Sequence, residues 1–333
     1  MEKVVLGLSG GVDSAVAASL LRQQGYEVHC LWLDIGLGGG QDAEELAGRL
    51  GLPFARADIR EALEREVCAP FAADYLAGRT PLPCARCNPS VKFPALLAEA
   101  ERVGARYVAT GHYARVVDGV LYRGKPTNDQ AFMLSRLPKS ILQRVIFPLG
   151  DYEKTGTRAL AEELGLPVAY KPDSMEICFI PDQDYAAWLE RRGATPPPGD
   201  FVDQSGKVLG RHKGIHHYTL GQRRGLGIPA EHRLFVSAIR AEENQVVLSD
   251  GADLYVDFVR GEEPNWIAMD ALTGPMDVEV RLRHSKTAHP AVIAPNASGG
   301  VDIALQTPGR APTPGQLAAF YRGDMVVGSA WII

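Results

Sequence analysis

The feature that most constrains this chain is a glycine-rich turn that directly follows its first apolar run. Residues 4–6 are Val-Val-Leu, typical of a buried strand, and residues 7–14 continue as Gly-Leu-Ser-Gly-Gly-Val-Asp-Ser. From Ala15 to Leu21 the apolar residues recur at helical spacing. A strand, a tight turn and a helix in this order direct backbone N–H groups, two hydroxyls and the positive end of a helix dipole at one point. Residues 7–14, called the phosphate turn below, therefore predict a site for a multiply charged anion.

The phosphate turn differs from the common triphosphate loop, because the Lys-Ser/Thr pair that reaches the β- and γ-phosphates is missing. A loop that holds pyrophosphate without that lysine suits reactions in which pyrophosphate leaves and AMP stays on the substrate. The order Ser-Gly-Gly-x-Asp-Ser after a first strand resembles the pyrophosphatase-loop family of ATP-dependent adenylating enzymes. We expect Asp13 to help place Mg²⁺ on the pyrophosphate.

Strand and helix patterns alternate through the first half of the chain, which predicts a parallel sheet with helices on both faces. The predicted strands are Val4–Leu8, Val28–Asp34, Pro53–Asp58 and Tyr107–Thr110, and the predicted helices are Ala15–Gln24, Ala43–Leu50, Glu61–Ala77, Ala95–Val103, Lys154–Leu164 and Asp184–Arg192. Ligands of such sheets bind at the carboxyl ends of the strands. The phosphate turn and the segment Thr110–Tyr113 are both predicted to lie there.

The second half of the chain has a different pattern of predicted secondary structure. Thr195–Gly199 contains three consecutive prolines, which end helix and sheet alike. Short strand-like runs follow, at Leu234–Ile239, Gln245–Leu248, Val278–Leu282, Val301–Leu305, Gly315–Tyr321 and Met325–Ile333. We therefore predict an α/β nucleotide-binding domain over 1–195, a small β-rich domain over 200–258 and a C-terminal β-barrel over 259–333.

The composition is that of an ordinary globular protein, with 333 residues, 46% hydrophobic and 23% charged, and a formal net charge of −5. The chain enters a strand at once and has no long apolar run, so we expect a cytoplasmic protein without a secretory leader or a membrane partner. A basic segment, residues 206–240, carries seven Lys and Arg residues against the single acid Glu231. It reads either as a solvated face or as a contact with a phosphate backbone.

Five cysteines, an odd number, argue against a framework of structural disulfides. Cys30 and Cys68 fall in a predicted strand and helix, where packing explains them. Cys84 and Cys87 form a C-x-x-C pair directly after the proline-rich stretch Arg79–Pro83, which is predicted to be a loop, and Cys178 lies far along the chain. The pair is open to three interpretations: part of a zinc site, a redox pair, or a group of reactive thiols with Cys178 as its third member.

Seven segments, taken in order, resemble the tRNA-specific 2-thiouridylase family and span nearly the whole chain. They are Gly7–Ser14, Gly78–Asn88, Ala109–Tyr113, Asn128–Gln130, Asp173–Ile180, Tyr218–Gly227 and Thr313–Gln316. The resemblance implies a nucleotide-binding domain of the adenine nucleotide α-hydrolase type, and sulfur transfer to C2 of the wobble uridine (U34) in the anticodon stem-loop of tRNA. ATP, with Mg²⁺, would first adenylate the uracil O2.

The same resemblance implies the roles of individual residues. Cys178 would carry a persulfide delivered by a sulfur-relay protein or cysteine desulfurase, and Cys87 would close a disulfide with it and free the thiolated base. The ATP site would comprise Gly7, Leu8, Ser9, Gly10, Gly11, Val12, Asp13, Ser14, Leu33 and Gly111. The tRNA contacts would comprise Leu82, Pro83, Cys84, His112, Asn128, Asp129, Gln130, Arg281, Leu282 and Gln316, with 82–84 at the target base.

Three departures from the family pattern affect these expectations. Many members have an Asp with an acid–base role where this chain has Cys84. Its replacement leaves Cys84, Cys87 and Cys178, which could instead hold three irons of a [4Fe–4S] cluster whose fourth iron binds sulfide. Asn128 stands where a Lys is usual, which would weaken one phosphate contact, and the segment Gly36–Gly40 is short compared with the usual insertion.

Two other classes of function compete with tRNA thiolation. One is another adenylating ligase or synthetase with the same loop, acting on a small molecule; it would need neither a cysteine trio nor a basic, β-rich second half. The other is an RNA-binding module with an inactive nucleotide fold, which would be expected to have lost Ser9, Asp13 or Cys87. All three are present.

Overall fold

The computed structural model describes residues 1–172, 177–285 and 287–333. The helices are α1 (Val12–Gln23), α2 (Gly40–Arg49), α3 (Arg60–Leu63), α4 (Ala69–Leu76), α5 (Pro83–Cys87), α6 (Phe93–Val103), α7 (Ala131–Leu134), α8 (Lys139–Leu142), α9 (Lys154–Glu163) and α10 (Tyr185–Arg191). The strands of the first half are β1 (Lys3–Gly7), β2 (Glu27–Asp34), β3 (Phe54–Asp58), β4 (Tyr107–Ala109), β5 (Ala114–Val117), β6 (Val120–Arg123) and β7 (Val145–Ile146). Those of the second half are β8 (Gly199–Val202), β9 (Val208–His212), β10 (Phe235–Arg240), β11 (Gln245–Ser249), β12 (Tyr255–Trp266), β13 (Met276–Arg281), β14 (His289–Pro295), β15 (Val301–Arg310), β16 (Leu317–Arg322) and β17 (Met325–Ile332).

The first sheet is parallel, in the order β3-β2-β1-β4-β7, which confirms the predicted α/β class. Val4, Val5 and Leu6 of β1 are fully buried, because β1 lies in the middle of the sheet with helices on both faces. The order of the strands reverses at β1, between β2 and β4. In sheets of this kind the ligand crevice opens at that point, beyond the carboxyl ends of the strands.

The second half forms two β structures, as predicted. A four-stranded sheet has the order β10-β11-β8-β9. The six strands β12-β15-β14-β13-β16-β17 pair in sequence, and β12 also pairs with β17, so they close into a barrel. Closure leaves these six strands with no free edge. Among the described residues, no helix combines the length and the apolar character needed to cross a bilayer.

A hairpin that the sequence did not predict joins the α/β domain to the barrel. Strands β5 and β6 pair with each other, and Tyr122 of β6 pairs with Met325 of β17. The amide of Asn265 donates hydrogen bonds to the carbonyls of Ser135 and Leu137, 2.8 and 3.1 Å away. The barrel is therefore docked on the α/β domain by backbone pairing and by side chains.

The proline-rich stretch Arg79–Pro83 ends in a helix that begins one residue earlier than its prediction as a loop allows. Pro83–Cys87 is helix α5, and a π-helical turn over Asn88–Lys92 leads from it without a break into α6. Proline is compatible with a first helical turn, because the N–H it lacks would have no partner there. The loop prediction is therefore confirmed for residues 79–82 and wrong at Pro83, and the C-x-x-C pair lies on one helical turn. Single π-turns inside α-helices are frequent at functional sites.

Candidate active site

The phosphate turn is fixed by hydrogen bonds among its own residues. Ser14 Oγ accepts a hydrogen bond from the Ser9 amide at 3.2 Å and donates one to the Gly11 carbonyl at 3.0 Å. Gly10 has a φ of +70°, which an L side chain rarely adopts. Gly11 caps α1 without a side-chain acceptor, so the N–H groups of the first turn of α1 are left to face an anion.

Two lysines that sequence reasoning missed reach this turn. Lys154 Nζ, from the start of α9, lies 2.7 Å from both carboxylate oxygens of Asp13, and the Tyr113 hydroxyl donates to Asp13 at 2.6 Å. Lys171 Nζ donates to the Gly10 carbonyl at 3.1 Å. These cations supply positive charge where the common triphosphate loop has its own lysine. Both lysines are far from the turn in sequence, so no local sequence pattern predicts that they reach it.

The second segment of the crevice, after β4, packs directly on the phosphate turn. A Cβ on Gly111 would lie 2.9 Å from the carbonyl carbon of Asp13 and 3.0 Å from the amide nitrogen of Ser14, so only glycine fits. His112 follows, and its Nδ1 lies 2.7 Å from the Thr110 hydroxyl. Removal from water, and then the nearby Lys92 cation, hold the pKa of His112 well below its ordinary value. The imidazole is therefore neutral at physiological pH.

Cys84, Cys87 and Cys178, called the thiol site below, come together although Cys178 is distant in sequence. Burial, followed by the charge of Cys87, raises the pKa of Cys178 to about 11, while Lys92 opposes the shift and Cys84 adds to it. Burial also raises the pKa of Cys87, again against Lys92 and with a contribution from Cys84. Each thiol is therefore close enough to affect the ionisation of another. All three are free in the structure.

The segment around Cys178 is anchored by apolar neighbours. Ile177, Phe179 and Ile180 share one hydrophobic cluster with Phe71 of α4 and with Cys87. By surface area Cys178 is an exposed residue, while neighbouring groups shield its sulfur atom from much of the bulk water. The predicted motif began at residue 173, and its part from 173 to 176 lies outside the described residues.

A loop of the barrel clamps the chain that leads into the thiol site. Gln316 Nε2 donates to the carbonyls of Thr80 and Pro81, 2.9 and 3.3 Å away. The Thr80 amide donates to the Pro314 carbonyl at 2.9 Å, and a Cβ on Gly315 would lie 2.9 Å from the Thr80 carbonyl oxygen. Two of the sequence motifs, Gly78–Asn88 and Thr313–Gln316, are thus parts of one contact.

Several residues that are predicted to contact tRNA form hydrogen bonds or ion pairs within the protein, or are buried. Arg281 Nη1 lies 2.7 Å from Asp129 Oδ2, and both side chains are buried. The amide of Tyr113 donates to Gln130 Oε1 at 2.9 Å, and Leu282 is buried. Asn128 has a buried Nδ2 without a protein partner. This group forms the layer behind Tyr113, and its contact with tRNA stays a prediction.

Other predicted site residues lie at the rim of the crevice. Leu33 is near the carboxyl end of β2, and Leu82 and Pro83 precede Cys84 at the start of α5. Leu82 is half-buried and Pro83 is buried. In the basic segment, Arg223, Arg233 and some of the residues between them, including Leu226 and His232, line a separate surface cavity of about 300 Å³.

The zinc interpretation of the cysteines finds no support in the described residues. Among these, three metal-binding atoms within 4.8 Å of one another occur only at Glu190, His216 and His217, away from the thiols. A mononuclear zinc site needs its ligand atoms this close. The interpretation as a group of reactive thiols fits the geometry better.

Family models match the chain in three successive parts. Residues 2–182 match the tRNA methyl transferase HUP domain, 187–250 its PRC-barrel domain, and 256–332 the aminomethyltransferase β-barrel domain. The tRNA-specific 2-thiouridylase MnmA of Clostridium acetobutylicum is 40% identical over 352 residues, covering 99% of each chain. The protein of the same name from Heliobacterium modesticaldum is 43% identical over 356 residues, covering 100% of this chain and 92% of that one.

The chain belongs to the tRNA-specific 2-thiouridylase family. The resemblance read from seven motifs is thereby confirmed over the full length of the chain. Among solved structures, a 4-thiouridine synthetase–RNA complex with bound ATP matches 57% of this chain and 50% of its own, with 20% identity and a TM-score of 0.37.

Proposed function

We propose that this protein is an ATP-dependent tRNA-uridine 2-sulfurtransferase. It adenylates O2 of the wobble uridine U34 and then transfers sulfur to C2, giving 2-thiouridine, AMP and pyrophosphate. The observation that carries the proposal is the continuity between the phosphate turn and the thiol site. Burial raises the pKa of the Cys87 and Cys178 thiols and lowers that of His112, and Lys92 is close enough to act on all three: it opposes the shift at the thiols and adds to the shift at His112. His112 adjoins Gly111, which packs against Asp13.

The nucleotide site is assigned to the crevice at the phosphate turn, with residues 1–195 as the catalytic domain. Residues 7–14 would hold the pyrophosphate of ATP through backbone N–H groups and hydroxyls. Gly111 would let the β4 loop approach the nucleotide, and Leu33 would line the crevice on the β2 side. Asp13 would help place Mg²⁺, and its contact with Lys154 supports a role in a highly charged site.

The sulfur step is assigned to Cys178 and Cys87. Cys178 would receive the terminal sulfur of a persulfide from a relay protein or cysteine desulfurase. That sulfur attacks C2 and AMP leaves with the former O2. The Cys87 thiolate then attacks Cys178 Sγ, which breaks the S–S bond, leaves the transferred sulfur on the base and forms a Cys87–Cys178 disulfide. An external thiol must reduce this disulfide before the next turnover.

Cys84 supports a second route for the sulfur. The family commonly has Asp at this position, whereas here the three thiols form one site. Three cysteines are the number of protein ligands that a [4Fe–4S] cluster with one open iron needs, and that iron would bind sulfide. Anaerobic reconstitution with iron and sulfide separates the routes: cluster absorbance that is lost in Cys84→Ala supports this second route, and no uptake supports the persulfide route.

The tRNA is assigned to a surface shared by the three domains. The small domain, 200–258, presents the exposed Arg223 and Arg224 of its basic segment, which suit a phosphate backbone. The barrel, 259–333, positions the target-base loop 82–84 through Gln316. The uridine must be flipped out of its stack to reach the nucleotide. These substrates lead us to expect the protein in the cytoplasm.

The test is mass analysis of wobble nucleosides after incubation of tRNA with the protein, ATP and a sulfur donor. We expect 2-thiouridine at U34 and one AMP per thiolation, and no product with a matched tRNA whose U34 is replaced by cytidine. AMP formation at the same rate without tRNA would instead support a small-molecule ligase and overturn the proposal.

A further inference from the structure

A histidine–carboxylate cluster lies outside the proposed active site, where α10 meets the small β domain. His216 and His217 lie on a short 3₁₀ turn, Ile215–His217, and Glu190 lies on α10. The Nε2 atoms of His216 and His217 are 3.2 and 3.3 Å from the same atom, Glu190 Oε1. One ligand atom from each of the three residues lies within 4.8 Å of the other two.

The two distances from Nε2 atoms to Glu190 Oε1 match the edges of a metal coordination tetrahedron. With metal–ligand bonds of about 2.0 Å, the ligand atoms of a tetrahedral zinc ion lie roughly 3.3 Å apart. Two imidazoles and one carboxylate are a donor set that zinc uses with water in the fourth position. The same distances also suit hydrogen bonds from the two imidazoles to Glu190 Oε1, and the metal titration below decides between the two arrangements. The two rings are only 4.2 Å apart between centroids.

The surroundings hold His216 in place and leave the cluster open on one side. His216 is fully buried. A Cβ on Gly214 would lie 2.6 Å from the Cε1 atom of His216, so the ring packs directly against the Gly214 backbone. Glu190 and His217 keep 41% and 27% of their side chains exposed, which gives an ion and a water molecule access.

We propose that Glu190, His216 and His217 bind one divalent transition-metal ion, preferably zinc, which ties α10 to the small β domain. The opposite side of α10 packs on the segment that carries Cys178, since the Trp188 and Phe179 ring centroids are 5.3 Å apart. The ion therefore links the support of the thiol site to the domain that carries the basic segment.

The test is a titration of chelator-treated full-length protein with Co²⁺, in a Cys84→Ser/Cys87→Ser/Cys178→Ser background so that the thiol site does not compete. We expect one equivalent to bind with the visible bands of tetrahedral Co²⁺ and without thiolate charge-transfer absorbance. Adding Glu190→Gln or His217→Gln should weaken the affinity by about 100-fold. Both side chains are partly exposed, so these variants should fold, as checked by circular dichroism. His232→Gln, at an exposed histidine of the basic segment, is the matched control and should bind normally.

Thermal unfolding gives an independent readout on the same proteins. Zn²⁺ should raise the Tm of the triple-serine protein and of the His232→Gln control, and should leave the Tm of the Glu190→Gln protein unchanged. Absence of stoichiometric binding, or binding that neither Glu190→Gln nor His217→Gln weakens, would overturn the proposal.

Discussion

The phosphate turn and the thiol site are built in opposite ways within the same domain. The phosphate turn is one continuous segment whose hydrogen bonds run among Ser9, Gly11 and Ser14. The thiol site is assembled from α5 and from a segment some ninety residues later, and it is held in place by a loop of the barrel through Gln316. The difference shows that the anion site is specified locally, whereas the sulfur site depends on the docking of separate domains.

Replacing the proposed sulfur carrier should give the largest effect and separate the two regions. Cys178→Ser should reduce thiolation by about 10³-fold or more, because a serine hydroxyl can neither form a persulfide nor leave as a thiolate. The phosphate turn is untouched, so tRNA-dependent release of pyrophosphate should persist. Both rates can be measured on one reaction mixture. The control is Cys68→Ala, which removes a buried thiol of the hydrophobic cluster that anchors the Cys178 segment. Loss of pyrophosphate release in Cys178→Ser would contradict the separation of the phosphate turn from the thiol site.

The phosphate turn should be most sensitive at its contact with the β4 loop. In Gly111→Ala the new Cβ would meet the backbone of Asp13 and Ser14 at 2.9–3.0 Å, so α1 must shift. We expect about 100-fold lower kcat/KM for ATP, from a misplacement of the order of 1 Å, and a loss of about 1–3 kcal/mol in the free energy of unfolding. Gly48→Ala on the exposed face of α2, where a Cβ meets nothing within 4 Å, should leave ATP use unchanged. Equal ATP kinetics in the two variants would refute the role given to the contact between Gly111 and the phosphate turn.

The pH dependence of thiol reactivity tests the electrostatics of the second region. Because burial raises the pKa of Cys178 to about 11, the thiol is protonated at pH 7 and its thiolate fraction rises with pH. Alkylation of Cys178 by iodoacetamide, followed by mass spectrometry, should accelerate about tenfold per pH unit between pH 7 and 9. Lys92→Met should slow alkylation of both Cys178 and Cys87, since Lys92 lowers their pKa. A plateau below pH 9 would be incompatible with this environment.

Loosening the barrel clamp should give the smallest effect and should fall on the thiol site alone. Gln316→Leu removes the hydrogen bonds to the carbonyls of Thr80 and Pro81, each worth about 1 kcal/mol. We expect thiolation to slow about 5-fold with an unchanged Kd for ATP. Gln41→Leu, on the exposed face of α2, provides the comparison. A weakened Kd for ATP in Gln316→Leu would show that the two regions are coupled more tightly than their contacts indicate.

Sequence and structure agree best where chemistry depends on neighbours in the chain. The sequence predicts the turn at residues 7–14, the strands around it and the change to β structure after Thr195–Gly199. These predictions succeed because glycine, proline and apolar periodicity act over a few residues. Only Pro83, the first residue of helix α5, was wrongly predicted to be loop, because a proline that is compatible with a first helical turn was taken as a helix breaker. The hairpin β5–β6 was missed, because its partner strand β17 lies 200 residues away.

The sequence by itself determined the parallel sheet, the anion-binding turn and the family, since each can be recognised from motifs of residues that are adjacent in the chain. Only the tertiary structure decided which charges surround those motifs: Lys154 on Asp13, Lys92 between the thiols and His112, and Gln316 on the loop before Cys84. The physical reason is the range of the forces involved. Backbone conformation is set by adjacent residues, whereas ionisation and docking depend on any group brought within a few ångströms by the fold.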